Sequence, residues 1–200
     1  KNRMEGPESF MNTWNPRDRE IGKLYEGYVK ALKDASALDF DDLLLATVEL
    51  FESNPGVRER YANRFRYVMV DEYQDTNRPQ YLLIKHIAGK HRNLAVVGDP
   101  DQSIYKWRGA DLRNIMDFES DFTDAHTVRL EQNYRSTEVI LDAASAIIAN
   151  NKNRKKKALW TDSKGGAKIK MFRATDELEE AEYITRVVRK ALEDDYRSLT

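Results

Sequence analysis

The sequence predicts an α/β protein with a mainly parallel sheet, and three observations lead to this fold class. Four short apolar runs have the length and composition of strands: 67–70, 94–97, 127–130 and 168–172. Each is followed by a segment with the apolar spacing of a helix: 79–88, 112–119, 137–150 and 177–192. Strands that alternate with helices are typical of parallel sheets, because the helix returns the chain to the same end of the sheet. Polar residues follow the first three strands, where open α/β sheets carry their functional groups.

The N-terminal part of the chain is predicted to be helical. Residues 1–20 are expected to be irregular, because glycine and proline interrupt them. The apolar spacing over 21–33 predicts a first helix. Asp39 is placed to cap a second helix over 40–52, and another short helix is expected to end near Phe65. The acidic residues here lack the glycine and glutamate of a calcium loop, so we reject a metal site in this segment.

Composition narrows the class of protein. The formal net charge is −1, so any nucleic-acid binding must come from a local surface rather than from the field of the whole chain. Cysteine is absent, which excludes disulfides and thiolate metal sites. Charged residues make up 34% of the chain, so we expect a cytoplasmic protein. No apolar run approaches the roughly 18 residues that span a membrane. The chain starts without an initiator methionine or a signal-peptide pattern, and we expect it to begin inside a longer protein.

Two adjacent carboxylates, Asp71 and Glu72, come directly after the first apolar run. At the carboxyl end of a strand, an aspartate can hold magnesium through oxygen. A neighbouring glutamate can orient or deprotonate the water that attacks a phosphoryl group. This pattern predicts the magnesium-binding half of a nucleoside triphosphatase. The phosphate-binding GxxxxGK(S/T) loop, by contrast, occurs nowhere in the 200 residues.

The segment 98–103 follows the second predicted strand, and we expect it at the same edge of the sheet as Asp71. Gly98 permits a turn that other residues resist. Gln102 carries an amide that can sense a γ-phosphate or position the attacking water. The alternative is an ordinary turn with capping aspartates, and the segment taken alone favours that alternative.

Aromatic and basic residues are interleaved immediately afterwards, at Tyr105, Lys106, Trp107 and Arg108. Tyrosine and tryptophan can stack on unpaired bases, at roughly 1–3 kcal/mol per base, while the cations hold backbone phosphates. The alternative is that Trp107 belongs to the core and Arg108 is a surface charge. Because the motif directly follows a possible phosphate sensor, we favour a role in coupling the state of the bound nucleotide to binding of a nucleic-acid strand.

A third polar segment, 133–137, follows the third predicted strand. Ser136 or Thr137 can cap the next helix, which places Arg135 near a helix N-terminus, where anions bind. Arg135 can then act as an arginine finger on a phosphoryl group, and Tyr134 can stack on an adenine ring. A surface arginine and a half-buried tyrosine are the alternative.

Two charge runs have simpler interpretations. Residues 152–157 include five basic residues in six positions, which we expect to form a solvated loop, with a nucleic-acid-facing patch as the alternative. The acidic stretch 176–182 is expected to form the first turns of a helix, where carboxylates interact favourably with the macrodipole.

In their order and spacing, these segments resemble the UvrD/PcrA/Rep family of superfamily 1 ATP-dependent DNA helicases. The similarity covers nearly the whole chain, through LDFDDLLL, VDEYQDTNRPQY, VVGDPDQSIYKWRGAD, LEQNYRST and NKNRKKKALWT. The resemblance implies a partial RecA-like P-loop NTPase fold in three pieces. These are the tail of a helical insertion (1–36), the carboxyl half of the first motor domain (37–124) and the opening of the second motor domain (125–200).

The resemblance also implies roles for individual residues. Asp71 would bind the Mg²⁺ of MgATP, Glu72 would be the catalytic base, and Gln102 would contact the γ-phosphate. Tyr134 would stack on adenine, and Arg135 would be the arginine finger.

The implied partner is single-stranded DNA, including its junctions with duplex, along which the family moves 3′ to 5′. Phe40, Tyr105, Trp107 and Arg108 would contact the strand. The other implied partners are the remainder of the parent helicase chain and repair or replication proteins in the bacterial cytosol, near the nucleoid. The missing phosphate loop leads us to expect that the 200 residues alone are inactive. A non-catalytic DNA-binding or scaffold domain with a degenerate helicase fold is one alternative, and a subunit of a helicase–nuclease is another.

Overall fold

The computed structural model describes residues 1–152 and 157–193, which divide into two compact units. Lys1–Arg129 form most of the first unit, and the second contains Leu130–Asn150 together with the described residues from Lys157 onward. Most of the basic run 152–157 therefore lies outside the described residues, and both interpretations of it stay predictions. In the described part of the chain, no helix combines the length and apolarity needed to cross a membrane.

Four helices form the N-terminal part of the first unit: α1 (Pro7–Met11), α2 (Pro16–Asp34), α3 (Phe40–Ser53) and α4 (Pro55–Arg64). The expectation of an irregular segment over 1–20 is wrong, because Pro7 and Pro16 begin helices instead of interrupting them. Proline suits the first helical position, where its missing N–H costs nothing. The predicted cap of α3 is confirmed, since the Asp39 side chain accepts from Asp42 N at 2.9 Å and Asp39 N donates to the Asp42 side chain.

A parallel pair of strands forms the sheet of the first unit. Strands β1 (Val68–Val70) and β2 (Leu94–Val96) pair with Met69 opposite Ala95. Helix α5 (Arg78–Ala88) is the crossover between them, as the alternation of strand and helix predicted. The buried side chains around this pair come from the helices and from the turn after β1; they include Val48, Phe51, Ala62, Tyr73 and Tyr81.

The helix predicted over 112–119 is replaced by two single-turn helices, α6 (Arg113–Met116) and α7 (Phe118–Asp121). Asp117 lies between them with φ −96° and ψ 5°, so the helical hydrogen-bond pattern stops and restarts there. Phe118 meets Tyr73 edge-on, with ring centroids 5.6 Å apart. This contact ties α7 to the turn that follows β1.

The second unit contains α8 (Glu138–Ile148) and α9 (Glu177–Glu193), close to the helices predicted for 137–150 and 177–192. The strands expected at 127–130 and 168–172 are wrong. Within the described residues, this part of the chain has an isolated parallel bridge between Gln132 and Trp160 instead of a ladder. A strand forms only where a neighbour pairs with its N–H and C=O groups, and apolar alternation does not provide that neighbour.

Candidate functional site

The carboxyl ends of β1 and β2 bring two polar turns together, as their parallel pairing predicted. Val97 N donates to Val70 O at 2.8 Å, and Tyr73 N donates to Val97 O at 2.9 Å. The turn after β1 carries Asp71 and Glu72, and the turn after β2 runs from Gly98 to Gln102. We call these two turns the sheet-edge turns.

Asp71 and Glu72 are both exposed at this edge. Glu72 has φ +49°, a left-handed conformation that side-chained residues seldom adopt. Its backbone N–H donates to Asp71 Oδ1 at 2.9 Å, which helps to hold the two carboxylates in a fixed relation. A left-handed residue of this kind costs of order 1–3 kcal/mol and persists only where surrounding contacts maintain it.

Gln74 supplies those surrounding contacts and joins the two sheet-edge turns. Its side chain is 1% exposed. Nε2 donates to Glu72 Oε2 at 2.8 Å, while Oε1 accepts from Asp99 N at 3.0 Å. Gly98 lies so close that a Cβ there would be 2.6 Å from Gln74 Oε1, so a larger residue at this position would displace the Gln74 amide. One buried amide therefore positions the glutamate carboxylate relative to the second turn.

Gln74 has no role among the functions predicted from the sequence. The signal that could have identified it is its place between two carboxylates directly after a strand, in the segment Glu72-Tyr73-Gln74-Asp75. A neutral amide there can donate to a carboxylate and accept a backbone N–H at the same time.

Gln102 lies at the end of the second turn and is exposed. Its Nε2 donates to Asp99 Oδ2 at 2.8 Å, and Asp99 Oδ1 accepts from Asp101 N at 3.0 Å. Asp99 therefore caps the turn, as the simpler alternative predicted. The same bond also orients the Gln102 amide relative to the second turn, so capping and a role for Gln102 are compatible.

Buried groups behind the turn after β1 make it rigid. Tyr73 is fully buried, and burial raises the pKa of its phenol to about 12, so the ring stays neutral. Thr76 Oγ1 donates to Tyr73 O at 2.7 Å, and Asn114 Nδ2 donates to Thr76 O at 3.0 Å. Asn114, which no sequence pattern had indicated, thereby attaches α6 to this turn.

The interleaved segment forms an aromatic loop, defined by Tyr105, Trp107 and Arg108. Trp107 is 79% exposed, so the alternative that placed it in the core is wrong. The Arg108 guanidinium lies 5.5 Å from the centroids of both the Tyr105 and Trp107 rings. Such cation–π contacts hold the loop's shape while leaving aromatic surface open to a stacking partner.

Phe40 is another exposed aromatic residue of the first unit. It is the first residue of α3 and is 88% exposed, next to the capping residue Asp39. An apolar ring in this position has no packing role within the described residues of its unit, and its exposure suits a contact with a ligand.

Tyr134 and Arg135 lie in an exposed turn of the second unit. Asn133 Oδ1 accepts from Arg135 N at 3.0 Å and from Ser136 N at 2.7 Å, which shapes the turn. Tyr134 is 86% exposed, and its hydroxyl donates to Gln132 Oε1 at 2.7 Å. The half-buried tyrosine of the alternative interpretation is therefore wrong.

The predicted capping residue of α8 is confirmed, but the predicted capping hydrogen bond is not. Thr137 occupies the capping position of α8, but its side chain makes no capping hydrogen bond there. Arg135 lies two residues before that position, next to a helix N-terminus, as expected.

The carboxylates Asp71 and Glu72 fit a magnesium site that substrate phosphates and water complete, rather than a site made by the protein alone. The described residues contain no group of three or more histidine, cysteine, aspartate or glutamate side chains that could hold a metal. Asp71 presents an exposed carboxylate with one oxygen engaged by Glu72 N. Mg²⁺ usually keeps water and is bound through one or two carboxylates plus substrate phosphates, which matches this arrangement.

Comparison with known proteins places the two parts of the chain in related families. Residues 1–123 match the UvrD/REP helicase N-terminal domain, and residues 128–199 match the UvrD-like helicase C-terminal domain. The chain is 49% identical over 191 residues to an ATP-dependent DNA helicase PcrA of Staphylococcus epidermidis, which covers 95% of this chain and 26% of that protein. It is 53% identical over 170 residues to the protein of the same name in Staphylococcus aureus, covering 85% of this chain and 23% of that one. The chain thus spans about a quarter of the length of the curated relatives it matches.

Proposed function

This chain belongs to the UvrD/REP helicase family, and from that premise we propose that it is part of an ATP-dependent DNA helicase that couples MgATP hydrolysis to 3′-to-5′ movement on single-stranded DNA. One observation carries the proposal. The sheet-edge turns, joined by Gln74, bear a carboxylate pair and an oriented amide, and the second turn continues directly into the exposed aromatic loop. A group that responds to phosphate is therefore only three residues from a group that can stack on bases.

We propose that hydrolysis uses the exposed carboxylates and cations of the chain. Glu72 accepts the proton of the water that attacks the γ-phosphorus, and ADP leaves as the bond to its β-phosphate oxygen breaks. Asp71 holds Mg²⁺, which when bound neutralises the charge of the phosphates. Gln102 contacts the γ-phosphate, and Arg135 brings positive charge to the transferring phosphoryl group, while Tyr134 stacks on adenine.

We propose that DNA binds through exposed aromatic residues of the first unit. Tyr105 and Trp107 stack on bases, Arg108 contacts the strand, and Phe40 contributes to the same binding surface. The substrate then includes single strands and their junctions with duplex. The remainder of the parent chain and repair or replication proteins are the proposed partners, and the bacterial cytosol, near the nucleoid, is the proposed location.

We propose a partial RecA-like fold for this part of the parent, with a helical insertion tail over 1–36, one motor domain over 37–124 and the start of another over 125–200. The parallel pair β1–β2 with its crossover helix supports the middle piece. The 200 residues contain no GxxxxGK(S/T) loop, which in this class supplies most of the triphosphate contacts. We therefore expect no DNA-stimulated ATP hydrolysis from these residues alone.

The test is single-strand-stimulated ATP hydrolysis by the whole parent protein, wild type against Glu72→Gln. Loss of a general base lowers turnover by about 10²- to 10⁴-fold, while ATP binding measured with a fluorescent analogue is kept. Glu20→Gln, an exposed glutamate of α2, is the matched control and should leave turnover unchanged. Wild-type protein that binds DNA without hydrolysing ATP would instead support the scaffold alternative.

A further inference from the structure

The first two residues of the chain contact both elements that carry the proposed DNA-binding side chains. Lys1 Nζ donates to Asp39 Oδ2 at 2.6 Å and to Asp42 Oδ2 at 2.7 Å. Asp39 and Asp42 are the capping pair of α3, the helix that begins with Phe40. Lys1 thus holds the end of the helix that presents this ring.

Lys1 is not available as an ordinary phosphate contact. Its side chain is only 7% exposed, and two carboxylates surround its ammonium group. The ammonium also lies 5.0 Å from the centroid of the Tyr28 ring, and the Tyr28 hydroxyl donates to Asp39 Oδ2 at 2.9 Å. A cation that is neutralised and enclosed in this way positions its neighbours rather than attracting a polyanion.

Asn2 makes the corresponding contact with the aromatic loop. Its Nδ2 donates to Arg108 O at 2.7 Å. Gly109 follows with φ +87°, and a Cβ at that glycine would lie 2.5 Å from the Asn2 carboxamide carbon. The end of the loop is therefore shaped to receive this amide.

Because Lys1 and Asn2 are consecutive, their Cα atoms are about 3.8 Å apart. The start of α3 and the end of the aromatic loop are thus both anchored to one short stretch of backbone within the first unit. We propose that these two residues form a clamp that positions Phe40 and the aromatic loop for stacking on single-stranded DNA. This Lys1–Asn2 clamp rests on the proposed DNA-binding function and adds two positioning residues to it.

The test measures the affinity of the whole parent protein for a short fluorescent oligothymidylate, by anisotropy without nucleotide. Asn2→Ala should weaken binding by about three- to tenfold, a part of what loss of a base stack costs. Turnover of ATP at saturating DNA should stay within about twofold of wild type, because the sheet-edge turns are untouched. Asn63→Ala, an exposed asparagine of α4, is the matched control and should bind as wild type.

A double-mutant cycle separates positioning from a general structural effect. If Asn2 acts through the loop, Asn2→Ala should have little further effect in a Trp107→Ala background. Lys1→Met should weaken DNA binding in the same way, whereas Lys30→Met, which removes an exposed ion pair of α2, should not.

The clamp is overturned if Asn2→Ala binds within twofold of wild type, or if its effect adds fully to that of Trp107→Ala. It is also overturned if turnover at saturating DNA falls as much as affinity does. If wild-type protein does not bind the oligonucleotide, or Trp107→Ala binds equally well, the proposed DNA-binding function itself fails, and the clamp fails with it. The Trp107→Ala measurement therefore distinguishes the two failures.

Discussion

The sheet-edge turns and the turn around Arg135 carry the residues proposed to act on ATP, but they are held in different ways. In the sheet-edge turns, a side chain that is 1% exposed connects Glu72 to the backbone of Asp99. In the other turn, Tyr134 is 86% exposed, and within the described residues Arg135 is held through its backbone N–H, which donates to Asn133 Oδ1.

The difference separates two ways of preparing a functional group. A carboxylate that must orient water is placed before the ligand arrives, because reorganisation at the moment of reaction would add to the barrier. A cation that acts on a transferring phosphoryl group can remain exposed until nucleotide is bound. Substitutions should therefore affect both structure and activity at Gln74, but activity alone at Arg135.

The largest effect is expected at Arg135. Arg135→Ala in the whole protein should lower single-strand-stimulated ATP turnover by about 10³-fold or more, the size of effect that an arginine finger has in phosphoryl transfer. Its side chain makes no hydrogen bond with the described residues, so hydrogen exchange of the peptide over 133–137 should not change.

Arg173→Ala is the control for Arg135→Ala, since Arg173 is another exposed arginine of the second unit. It should retain wild-type turnover. If both variants keep full turnover, Arg135 is a surface charge, as the simpler interpretation held. The turn around Arg135 would then have no role in ATP hydrolysis.

A smaller effect on activity but a larger effect on structure is expected at Gln74. Gln74→Leu keeps the approximate volume but leaves Asp99 N–H without its buried acceptor, at a cost of about 1–3 kcal/mol. Hydrogen exchange should therefore show lower protection for peptides over 71–76 and 98–103. Turnover should fall as well, because the Glu72 carboxylate loses the bond to Nε2.

Gln132→Leu is the matched control for Gln74→Leu in the other region. Gln132 bonds Asp162 and Tyr134, but its side chain is only partly buried, so water can replace those bonds. Its effect on local protection should stay well below about 1 kcal/mol. Equal losses of protection in the two variants would contradict the proposed difference between the regions.

The features that could be predicted from the sequence are those that depend on local patterns or on the order of strands and helices. Helices α3, α5, α8 and α9 depend on local patterns, such as apolar spacing and capping residues, and appear close to their predicted bounds. The shared edge of Asp71 and Gly98 followed from parallel pairing alone. The helices need no knowledge of which distant residues meet, and the β1–β2 pair was predicted from the strand–helix–strand order of the chain.

Features that depend on distant contacts could not be predicted in this way. The strands expected at 127–130 and 168–172 need pairing partners, which alternation does not supply. The hydrogen bond from Asp99 N to Gln74 joins residues that are 25 positions apart. The left-handed conformation of Glu72 is maintained by this network and has no local sequence signal. The break between helices α6 and α7 at Asp117 and the hydrogen bond from Asn2 to Arg108 also depend on tertiary packing.

The smallest effect is expected from the hydrogen-bond network at the start of α3. Its side chains are less buried than Gln74 and less exposed than Tyr134. Burial tends to raise the pKa of Asp39, but hydrogen bonds from Lys1, the Asp42 backbone and Tyr28 outweigh it and lower the pKa to about 2. Because this value lies below the ordinary 3.8, the carboxylate stabilises the folded protein above pH 4, and this contribution is lost as the pH falls towards 2. With the side chain 24% exposed, the contribution is at most about 2 kcal/mol.

Asp39→Asn tests that sign directly. Its destabilisation, measured by denaturant unfolding of the first unit within the whole protein, should be larger at pH 6 than at pH 3, where about half of the contribution of the carboxylate is already lost. Asp34→Asn, in the exposed pair with Lys30, is the control and should show no comparable pH dependence. A destabilisation that is equal at both pH values would mean that Lys1 does not hold Asp39 in solution, and the clamp would then lack its anchor on α3.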